Sequence, residues 1–292
     1  MIIRPWPFMW TADSYTEAGM MESQCLTSVT FIGHSTVLLE TPHHSIITDP
    51  VFSDRLASVF TKREARMDFD IDSISGLEAI LVSHGHHDHL DLRSLEALGR
   101  NVPVFLPKGM SLPLVLRGFA NIRVMRPWDE VRVGDSRITA VPSHHFGGRP
   151  PFYFTAGYQG YVISAEKCTY FAGDTGLDEK MFREIGRRFS PDLAILPIGA
   201  YYPPSFRKNH MSPEDAIEAF RLLGAKYMMA VHFETYSMSW EPLDEPRARL
   251  EAASEKAGLS GSVFALRSGE SICLDGESAR RSARPTRSSA RY

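Results

Sequence analysis

The hydrophobic pattern along the chain consists mainly of short apolar runs separated by polar and turn-forming residues. Several runs are apolar at nearly every position, which is typical of strands that are buried on both faces of a sheet. The pattern therefore predicts sheets that lie inside the protein under other layers. The predicted strands are residues 29–32, 37–40, 45–49, 79–83, 102–106, 137–142, 161–164, 169–174, 193–198, 227–233, 263–266 and 271–274.

Three segments between the later runs have the periodicity of helices. Residues 177–189 carry an apolar residue at every fourth position, which forms one face of a helix. Residues 212–224 begin with a serine-proline pair suited to a helix N-terminus and end, like residues 245–258, in a glycine. Strands come first and strands mixed with helices follow. This order predicts an α/β protein with helices outside two packed sheets.

Composition narrows the class of protein only slightly. With 292 residues, of which 43% are hydrophobic and 23% are charged, the chain can form one large domain or two small ones. The formal net charge is −3, so nothing global favours a nucleic acid as a partner. No apolar run approaches the roughly 20 residues that cross a bilayer as a helix. We expect a globular protein that does not bind nucleic acid.

The two ends of the chain differ from residues 27–275, which we expect to form a single domain. Residues 1–26 contain the aromatic stretch WPFMW and are interpreted as an N-terminal arm. Residues 276–292 contain five arginines, one glutamate and almost no apolar residues. Such a segment cannot form a core of its own, so it is predicted to be a disordered basic tail.

The cysteines carry information about the compartment. Cys25, Cys168 and Cys273 are widely spaced, and none of them belongs to a CxxC motif. An odd and sparse set of cysteines predicts reduced thiols and a cytoplasmic location.

The stretch SHGHHDHLD, residues 83–91, holds four of the 11 histidines of the chain. It directly follows an apolar run, so its side chains are expected at the carboxyl end of a sheet, where α/β proteins bind ligands. Imidazole and carboxylate groups suit zinc, manganese or iron. His84 and His86 can converge on one ion, while Asp88 and His89 can turn to a second. Two sites need more donors than one loop supplies.

Further donors lie at the ends of later predicted strands. His144 and His145 follow residues 137–142, Asp174 ends residues 169–174, and His232 lies near the end of residues 227–233. A single residue of this kind is ordinarily a hydrogen-bonded turn residue. Together with the histidine-rich loop, however, they favour a metal centre, in which a carboxylate such as Asp174 can bridge two ions.

The order of these motifs resembles the metallo-β-lactamase superfamily: the HxHxDH loop, a histidine near 145, the GDTG sequence at 173–176, and His232. Further stretches are similar to the branch that includes N-acylphosphatidylethanolamine-hydrolysing phospholipase D, and more distantly to ascorbate-6-phosphate lactonase. The resemblance covers roughly residues 27–275. The stretches similar to the branch are residues 29–40, 47–55, 171–176, 193–203, 209–220, 230–236 and 241–246.

The resemblance implies a four-layer αβ/βα sandwich with two divalent metal ions at one edge of the sheets. His145 matches the family better than His144, because an aromatic residue follows it. Zinc is the first choice of metal, and manganese or iron would also suit the donors. The implied ligands are His84, His86 and His145 for the first ion, Asp88, His89 and His232 for the second, and Asp174 as the bridge.

The same resemblance suggests candidates around the metals. Asp88 and Asp174 could also orient the nucleophile or pass on a proton. His210 precedes a predicted helix and could contact a substrate phosphate or protonate a leaving group. The alternative for His210 is an ordinary surface histidine.

Further residues are candidates for substrate binding or for its surroundings. His34 could hydrogen-bond a ligand carboxylate, and its alternative is a buried turn histidine. Glu234 stands where many relatives have a glycine, so it could narrow the pocket or add negative charge near the metals. Tyr201 is a further candidate for substrate binding in that pocket. Asp49 is expected to orient a ligand histidine or cap a turn. Residues 43–45 are expected to form an exposed hairpin turn.

The function expected from these features is hydrolysis by a metal-bridging hydroxide, acting on a phosphodiester that could be phospholipid-like. The alternatives are a lactone or carboxylic ester hydrolase with the same site and, less favoured, a non-hydrolytic di-iron protein. The chain contains neither a GxSxG motif nor a P-loop or dinucleotide fingerprint. The expected partner is a small or lipid-like substrate. The aromatic arm could provide a peripheral membrane contact or a homo-oligomer interface.

Overall fold

A computed structural model describes residues 25–56, 61–149, 156–276 and 278–283. The predicted arm, except for Cys25 and Leu26, lies outside the described residues, and so does the tail beyond residue 283. The strands are β1 (Thr27–Gly33), β2 (Thr36–Glu40), β3 (Ser45–Thr48), β4 (Arg55–Leu56), β5 (Thr61–Lys62), β6 (Leu77–Leu81), β7 (Val104–Pro107), β8 (Ile122–Met125), β9 (Glu130–Val133), β10 (Ser136–Val141), β11 (Gly160–Ser164), β12 (Cys168–Phe171), β13 (Leu193–Pro197), β14 (Tyr227–Val231), β15 (Val263–Phe264), β16 (Glu270–Asp275) and β17 (Ser278–Ala283).

Helices connect many of these strands. The three predicted helices are all present, with ends within two residues of those expected from the sequence. Two short helices before them were not predicted, because six or seven residues are too few to establish a helical period. The α-helices are α1 (Leu92–Leu98), α2 (Ser111–Leu116), α3 (Glu179–Phe189), α4 (Pro213–Leu223) and α5 (Glu245–Lys256), and short 3₁₀ turns lie at Ile71–Ser73 and Pro204–Lys208.

The strands form two large mixed sheets. The first has the order β17-β16-β1-β2-β3-β6-β7-β8, and the second has the order β15-β14-β13-β12-β11-β10-β9. In each sheet the strands at one end pair in parallel, from β3 to β8 and from β12 to β15. The remaining neighbours are antiparallel. Strands β4 and β5 form a separate small ribbon.

Alternate residues of the first sheet face two different cores. Ile47 and Ile80 pack outward with Leu95 of α1 and Leu114 of α2. Their neighbours in the strands, such as Leu81, face inward and belong to a second, continuous core, which also includes residues of the second sheet and of α3, α4 and α5. The layers therefore run helix, sheet, sheet, helix. This confirms the four-layer αβ/βα sandwich, and the burial of both sheet faces explains why the strand sequences are apolar at nearly every position.

The predicted donors follow strands that end at the same edge of this sandwich. His84 comes after β6 in the first sheet, and Asp174 and His232 come after β12 and β14 in the second. Strand β10, which precedes His145, is antiparallel to β11 and therefore runs in the same direction as β12. Distant stretches of the sequence are thus brought to one edge by the direction of their strands.

The prediction of a disordered tail over residues 276–292 is wrong for its first part. Residues 278–283 form β17, which pairs with β16 in antiparallel register from Asp275↔Ser278 to Glu270↔Ala283. Arg280 and Arg281 form ion pairs with Asp275 and Glu270 of that strand. Without β17, β16 would be an edge strand with free main-chain hydrogen-bond groups. The amino-acid composition of the tail gives no information about such an edge.

The prediction of three reduced thiols is also wrong. Cys25 and Cys273 form a disulfide, with Cα atoms 5.6 Å apart, although 248 positions separate them in the sequence. The pairing of β1 with β16, in which Ser28 lies opposite Cys273, brings them together. Cys168 is free. Because disulfides are rare in reducing compartments, the cysteines no longer support a cytoplasmic location.

The turn at residues 43–45 joins β2 and β3 as predicted, but it is not fully exposed. His44 is buried, and its Nε2 lies 2.9 Å from the hydroxyl of Ser136 on the other sheet. Its Nδ1 lies 3.1 Å from a carboxylate oxygen of Asp135. The turn therefore connects the two sheets at one end of the sandwich.

None of the helices in the described ranges is long and apolar enough to span a bilayer.

Helix α4 is fixed at its start by a reciprocal cap. The amide of Asp215 donates to the Ser212 hydroxyl at 3.3 Å, and the amide of Ser212 donates to the Asp215 carboxylate at 3.0 Å. Arg207 adds two hydrogen bonds to the same carboxylate. The cap fixes the segment that carries His210, two residues before it.

We expect Ser212→Ala to lower the free energy of unfolding by about 1 kcal/mol, because the substitution leaves a buried helix N-terminus without its cap. Chemical denaturation followed by circular dichroism would measure the change. The control is Ser75→Ala, at an exposed serine, which should stay within about 0.5 kcal/mol of the parent protein. Equal stability of the two variants would show that the cap is unimportant.

Candidate metal centre

The seven predicted metal ligands converge at one edge of the sandwich. All are buried except His86, which is partly exposed, and their donor atoms form groups compact enough to hold an ion. The HxHxDH loop supplies four of them, and strand ends from the second sheet supply the others. The residues brought together are His84, His86, Asp88, His89, His145, Asp174 and His232.

The first group consists of three histidines and Asp174. The Nε2 atoms of His84 and His145 lie 2.9 and 3.3 Å from Nδ1 of His86. Both Nε2 atoms are 3.9 Å from Oδ2 of Asp174. Three ring nitrogens and one carboxylate oxygen therefore face a common point.

The second group shares the Oδ2 atom of Asp174 with the first. The Nε2 atoms of His89 and His232 lie 3.2 and 3.3 Å from Oδ2 of Asp88. They lie at the same two distances, 3.2 and 3.3 Å, from Oδ2 of Asp174. Asp174 is therefore placed between the two groups, which is the position that a bridging ligand requires.

Hydrogen bonds fix which nitrogen of each ring is available. Nδ1 of His89 donates to Asp49 at 2.7 Å. Nδ1 of His84 donates to the hydroxyl of Ser83 at 2.9 Å, and that hydroxyl donates to Asp49 at 2.6 Å. Nδ1 of His145 donates to the carbonyl oxygen of Asn209 at 3.0 Å. In each ring the Nε2 atom therefore carries the lone pair that points into the site.

The unsatisfied atoms of the site show that cations fit it. Nε2 of His89, Nε2 of His232 and Oδ1 of Asp174 are buried and have no hydrogen-bond partner within the described part of the chain. Buried polar atoms without a partner are costly, so a group that binds them all is expected. Neutral imidazoles and carboxylates are the donors that zinc, manganese and iron accept.

The protonation of these groups reflects the same need for positive charge. Burial would raise the pKa of Asp174, but His232 and His89 outweigh it and hold the pKa well below its usual range. Burial would lower the pKa of His232, but the Asp174 carboxylate raises it to about 9. Burial lowers the pKa of His145 to about 3, so this imidazole is neutral, which is the form that binds a metal.

Strained backbone positions cluster around the site. His34, Asp49, His232 and Glu234 all have positive φ angles, of 56°, 36°, 60° and 56°. Such angles cost about 1–3 kcal/mol each in residues other than glycine and persist only where the surroundings impose them. Gly199 lets the chain pass close to His232, since a Cβ atom there would lie 2.1 Å from the His232 carbonyl oxygen.

His145 and not His144 joins the centre, as the sequence comparison favoured. His144 is exposed, and its Nδ1 lies 3.7 Å from the carboxylate of Asp178. His34 is only 1% exposed and donates through Nε2 to Asp88 at 2.9 Å. This position agrees with a role in orienting Asp88 and leaves His34 little surface for a substrate.

The other substrate-binding candidates are placed differently. His210 reaches the centre, with Nδ1 3.8 Å from Oδ2 of Asp174. The carboxylate of Glu234 instead accepts two hydrogen bonds from Arg247, at 2.6 and 2.8 Å, so it does not add an uncompensated negative charge to the site. The hydroxyl of Tyr201 donates to Glu245 at 2.8 Å. The structure therefore brings His210, but not the polar groups of Tyr201 and Glu234, to the metal ligands.

Sequence reasoning missed Arg149, which holds the HxHxDH loop from outside. Its Nε donates to the carbonyl oxygen of Gly85 at 2.8 Å, and an Nη group donates to the carbonyl oxygens of Leu90 and His86. Its partners are main-chain atoms, which every residue type has, so the sequence shows no pattern that would identify them. The only available signal was that Arg149 lies four positions after His145.

Sequence reasoning also missed a set of exposed apolar side chains, most of them aromatic, which we name the aromatic rim. Three of them lie beside histidines at the centre: Phe146 stacks on His145 with ring centres 4.8 Å apart, the ring of Tyr158 lies 6.5 Å from that of His145, and Phe206 lies 6.4 Å from the ring of His210. Exposed apolar side chains that gather beside a site often mark a binding surface. The aromatic rim consists of Phe146, Tyr158, Tyr202, Phe206, Met238 and Trp240.

Comparisons with known proteins agree with this fold and site. The sequence profile of the Beta-lactamase superfamily domain matches residues 44–233. An uncharacterized protein of Mycobacterium tuberculosis is 33% identical over 81% of this chain and 66% of its own length. The N-acyl-phosphatidylethanolamine-hydrolyzing phospholipase D 1 of Caenorhabditis elegans is 32% identical over 82% of this chain and 72% of its own length.

The chain thus spans about two thirds of the length of these relatives. Among solved structures, Igni18, a metallo hydrolase from Ignicoccus hospitalis, is similar in fold, with a TM-score of 0.66 and 22% identity over 86% of this chain and 99% of its own. The matched range includes the HxHxDH loop, Asp174 and His232. This chain belongs to the Beta-lactamase superfamily, and its relatives include an N-acyl-phosphatidylethanolamine-hydrolyzing phospholipase D.

Proposed function

We propose that this protein is a dinuclear metal-dependent hydrolase that cleaves a phosphodiester bearing an apolar group. One observation carries the proposal: the donors gather around Asp174, and rings of the aromatic rim lie beside them. The name of the relative from C. elegans, a phospholipase D, favours a phosphodiester over a carboxylic ester. Zinc is our first choice for both ions, because imidazole and carboxylate donors suit it, and manganese or iron would also fit.

When bound, the two divalent cations would supply a water of lowered pKa and positive charge opposite the phosphate oxygens. The residues of the chain keep this arrangement rigid. Asp49 orients the ring of His89 directly and the ring of His84 through Ser83. His34 holds Asp88 by a hydrogen bond of 2.9 Å. Because these contacts exist before a substrate arrives, little rearrangement is needed during the reaction.

His210 is our candidate for the group that donates a proton to the leaving oxygen. It lies beside Asp174, and the ring stands 4.9 Å from that of His145. The cap of α4 fixes its position, and its Nδ1 has no hydrogen-bond partner among the residues that the structure describes. A contact to a substrate phosphate oxygen is the other role that this position allows.

The aromatic rim supports the apolar part of the proposed substrate. Tyr202 and Trp240 lie with ring centres 6.3 Å apart, and Trp240 is 76% exposed. Aromatic side chains of this kind bind acyl chains or enter the interfacial layer of a bilayer. We therefore propose a lipid-like substrate that is reached by peripheral contact with a membrane.

The first prediction concerns the metal centre. Protein loaded with zinc or manganese should cleave bis(p-nitrophenyl) phosphate, and Asp174→Asn should lower kcat/KM by at least about 100-fold, because it removes a charged ligand. The matched control is His144→Asn, the neighbouring histidine outside the centre, which should stay within about twofold. Metal content per chain would be measured in the same samples.

Three results would contradict the prediction. An equal loss of kcat/KM in Asp174→Asn and His144→Asn would show that the activity does not depend on the proposed centre. Protein that holds two metals but cleaves only lactones or carboxylic esters would move the assignment to those substrates. Protein that binds no metal would overturn the proposal.

The second prediction concerns His210. If it protonates the leaving group, His210→Gln should lower kcat about 100-fold for an alkyl phosphodiester but much less for a p-nitrophenyl ester, whose leaving group needs no proton. A uniform loss with both substrates, seen mainly in KM, would instead indicate a phosphate contact. Full activity with both would exclude either role.

The third prediction concerns the rim. Trp240→Ala should raise KM about tenfold for a long-chain phosphodiester and leave bis(p-nitrophenyl) phosphate unaffected, because only the former buries apolar surface there. Leu116→Ala, on α2 and equally exposed at 76%, is the control and should change neither value. Identical changes of KM in Trp240→Ala and Leu116→Ala would show that the aromatic rim does not bind the substrate.

A further inference from the structure

A positively charged cleft lies on the outer side of the HxHxDH loop. Its volume is about 540 Å³, which is within the range of roughly 300–1,000 Å³ of small-molecule sites. Four arginines line it, Arg55, Arg93, Arg117 and Arg149, against two acidic residues. The chain as a whole has a formal charge of −3, so this concentration of positive charge is local. We name it the arginine cleft.

Two of these arginines are available to a ligand. Arg55 and Arg93 are exposed, and neither forms an ion pair within the part of the chain that the structure describes. Arg117 is half-exposed and shares Glu96 with another arginine. An arginine side chain offers a planar set of donors that matches the oxygens of a phosphate group.

The acidic residues of the cleft only partly offset this charge. The carboxylate of Asp91 already accepts hydrogen bonds from Ser53 at 2.5 Å and Ser94 at 2.6 Å. Asp54 also lines the cleft and opposes an anion there. Four guanidinium groups face Asp54 and Asp91 in the lining, and Glu96 offsets part of the charge of Arg117, so the positive charge left for a ligand lies mainly at Arg55 and Arg93.

The arginine cleft is separate from the metal centre but shares a wall with it. His87, the one histidine of the loop that no group of donors in the described chain includes, is exposed and lines the cleft. Arg149 borders the cleft and also donates to the carbonyl oxygens of Gly85 and Leu90, which belong to the loop that carries the metal ligands. An anion in the cleft would therefore lie against the back of that loop.

We propose that the arginine cleft binds a phosphate-bearing anion through Arg55 and Arg93, apart from the metal centre. The site is independent of the proposed reaction, since none of the proposed metal ligands lines it. The phosphate group can belong to a free anion or to the headgroup of an anionic lipid. Both sources present the same oxygens to the guanidinium groups.

The test uses the metal-loaded, full-length protein and inorganic phosphate, with binding measured by isothermal titration calorimetry. Arg55→Gln and Arg93→Gln should each weaken phosphate binding about tenfold, because each removes a charge-assisted hydrogen-bond donor. Arg137→Gln, at an exposed arginine of β10 outside the cleft, is the matched control and should bind as the parent protein does. Asp174→Asn identifies phosphate that is bound at the metals, since only that component should be lost.

A second arm measures co-sedimentation with phosphatidylcholine vesicles that either contain or lack phosphatidic acid. Binding to the phosphatidic acid vesicles alone, lost in Arg55→Gln and Arg93→Gln, would assign the cleft to a lipid headgroup. Loss of inorganic phosphate binding in the two variants, with no binding of the parent protein to either kind of vesicle, would assign the cleft to a free anion. If both variants bind phosphate and vesicles as the control does, the proposal is overturned, whatever the outcome for the metal centre.

Discussion

The buried carboxylate of Asp174 is the interaction on which the rest of the site depends. Five histidine rings place a nitrogen within 3.9 Å of its Oδ2 atom, and Asp88 lies close to two of the same rings. Carboxylates removed from water require nearby positive charge. Two divalent cations would meet this requirement, because Nε2 of His84, His89 and His145 points into the site with its lone pair.

Holding so many donors in one place requires support from outside the centre. Asp49 fixes two rings of the loop, one of them through Ser83, and Arg149 fixes the loop's main chain. His34 and His232 adopt left-handed backbone conformations next to each other, and the amide of His232 donates to the carbonyl oxygen of His34 at 2.9 Å. The strands that precede these residues are completely buried at their ends, which gives the sandwich enough rigidity to maintain the strain.

Two surfaces next to the loop have opposite character. Phe146, Tyr158 and Phe206 of the aromatic rim lie beside His145 and His210, and the arginine cleft is lined by His87 of the loop. The rim suits the apolar part of a substrate, and the cleft suits a phosphate group. None of the rim residues lines the cleft, so the two are separate surfaces.

The sequence by itself determined most of the buried strands, the three longer helices and the donors. Each of the twelve apolar runs overlaps a strand, because strands buried on both faces are mostly apolar. The HxHxDH loop was recognisable because its ligands are close in the sequence and follow a strand. The resemblance to a known superfamily then extended the ligand set to strand ends far along the chain.

Tertiary structure decided everything that depends on pairing between distant residues. The ion pair of Glu234 with Arg247 and the Cys25–Cys273 disulfide each join segments that are separate in the sequence, and the strand at residues 278–283 depends on its pairing with β16. The aromatic rim and the arginine cleft are likewise assembled from several loops. Residue types along the chain reveal periodicity and local spacing, but the partner of a side chain is fixed only when the sheets pack and bring their edges together.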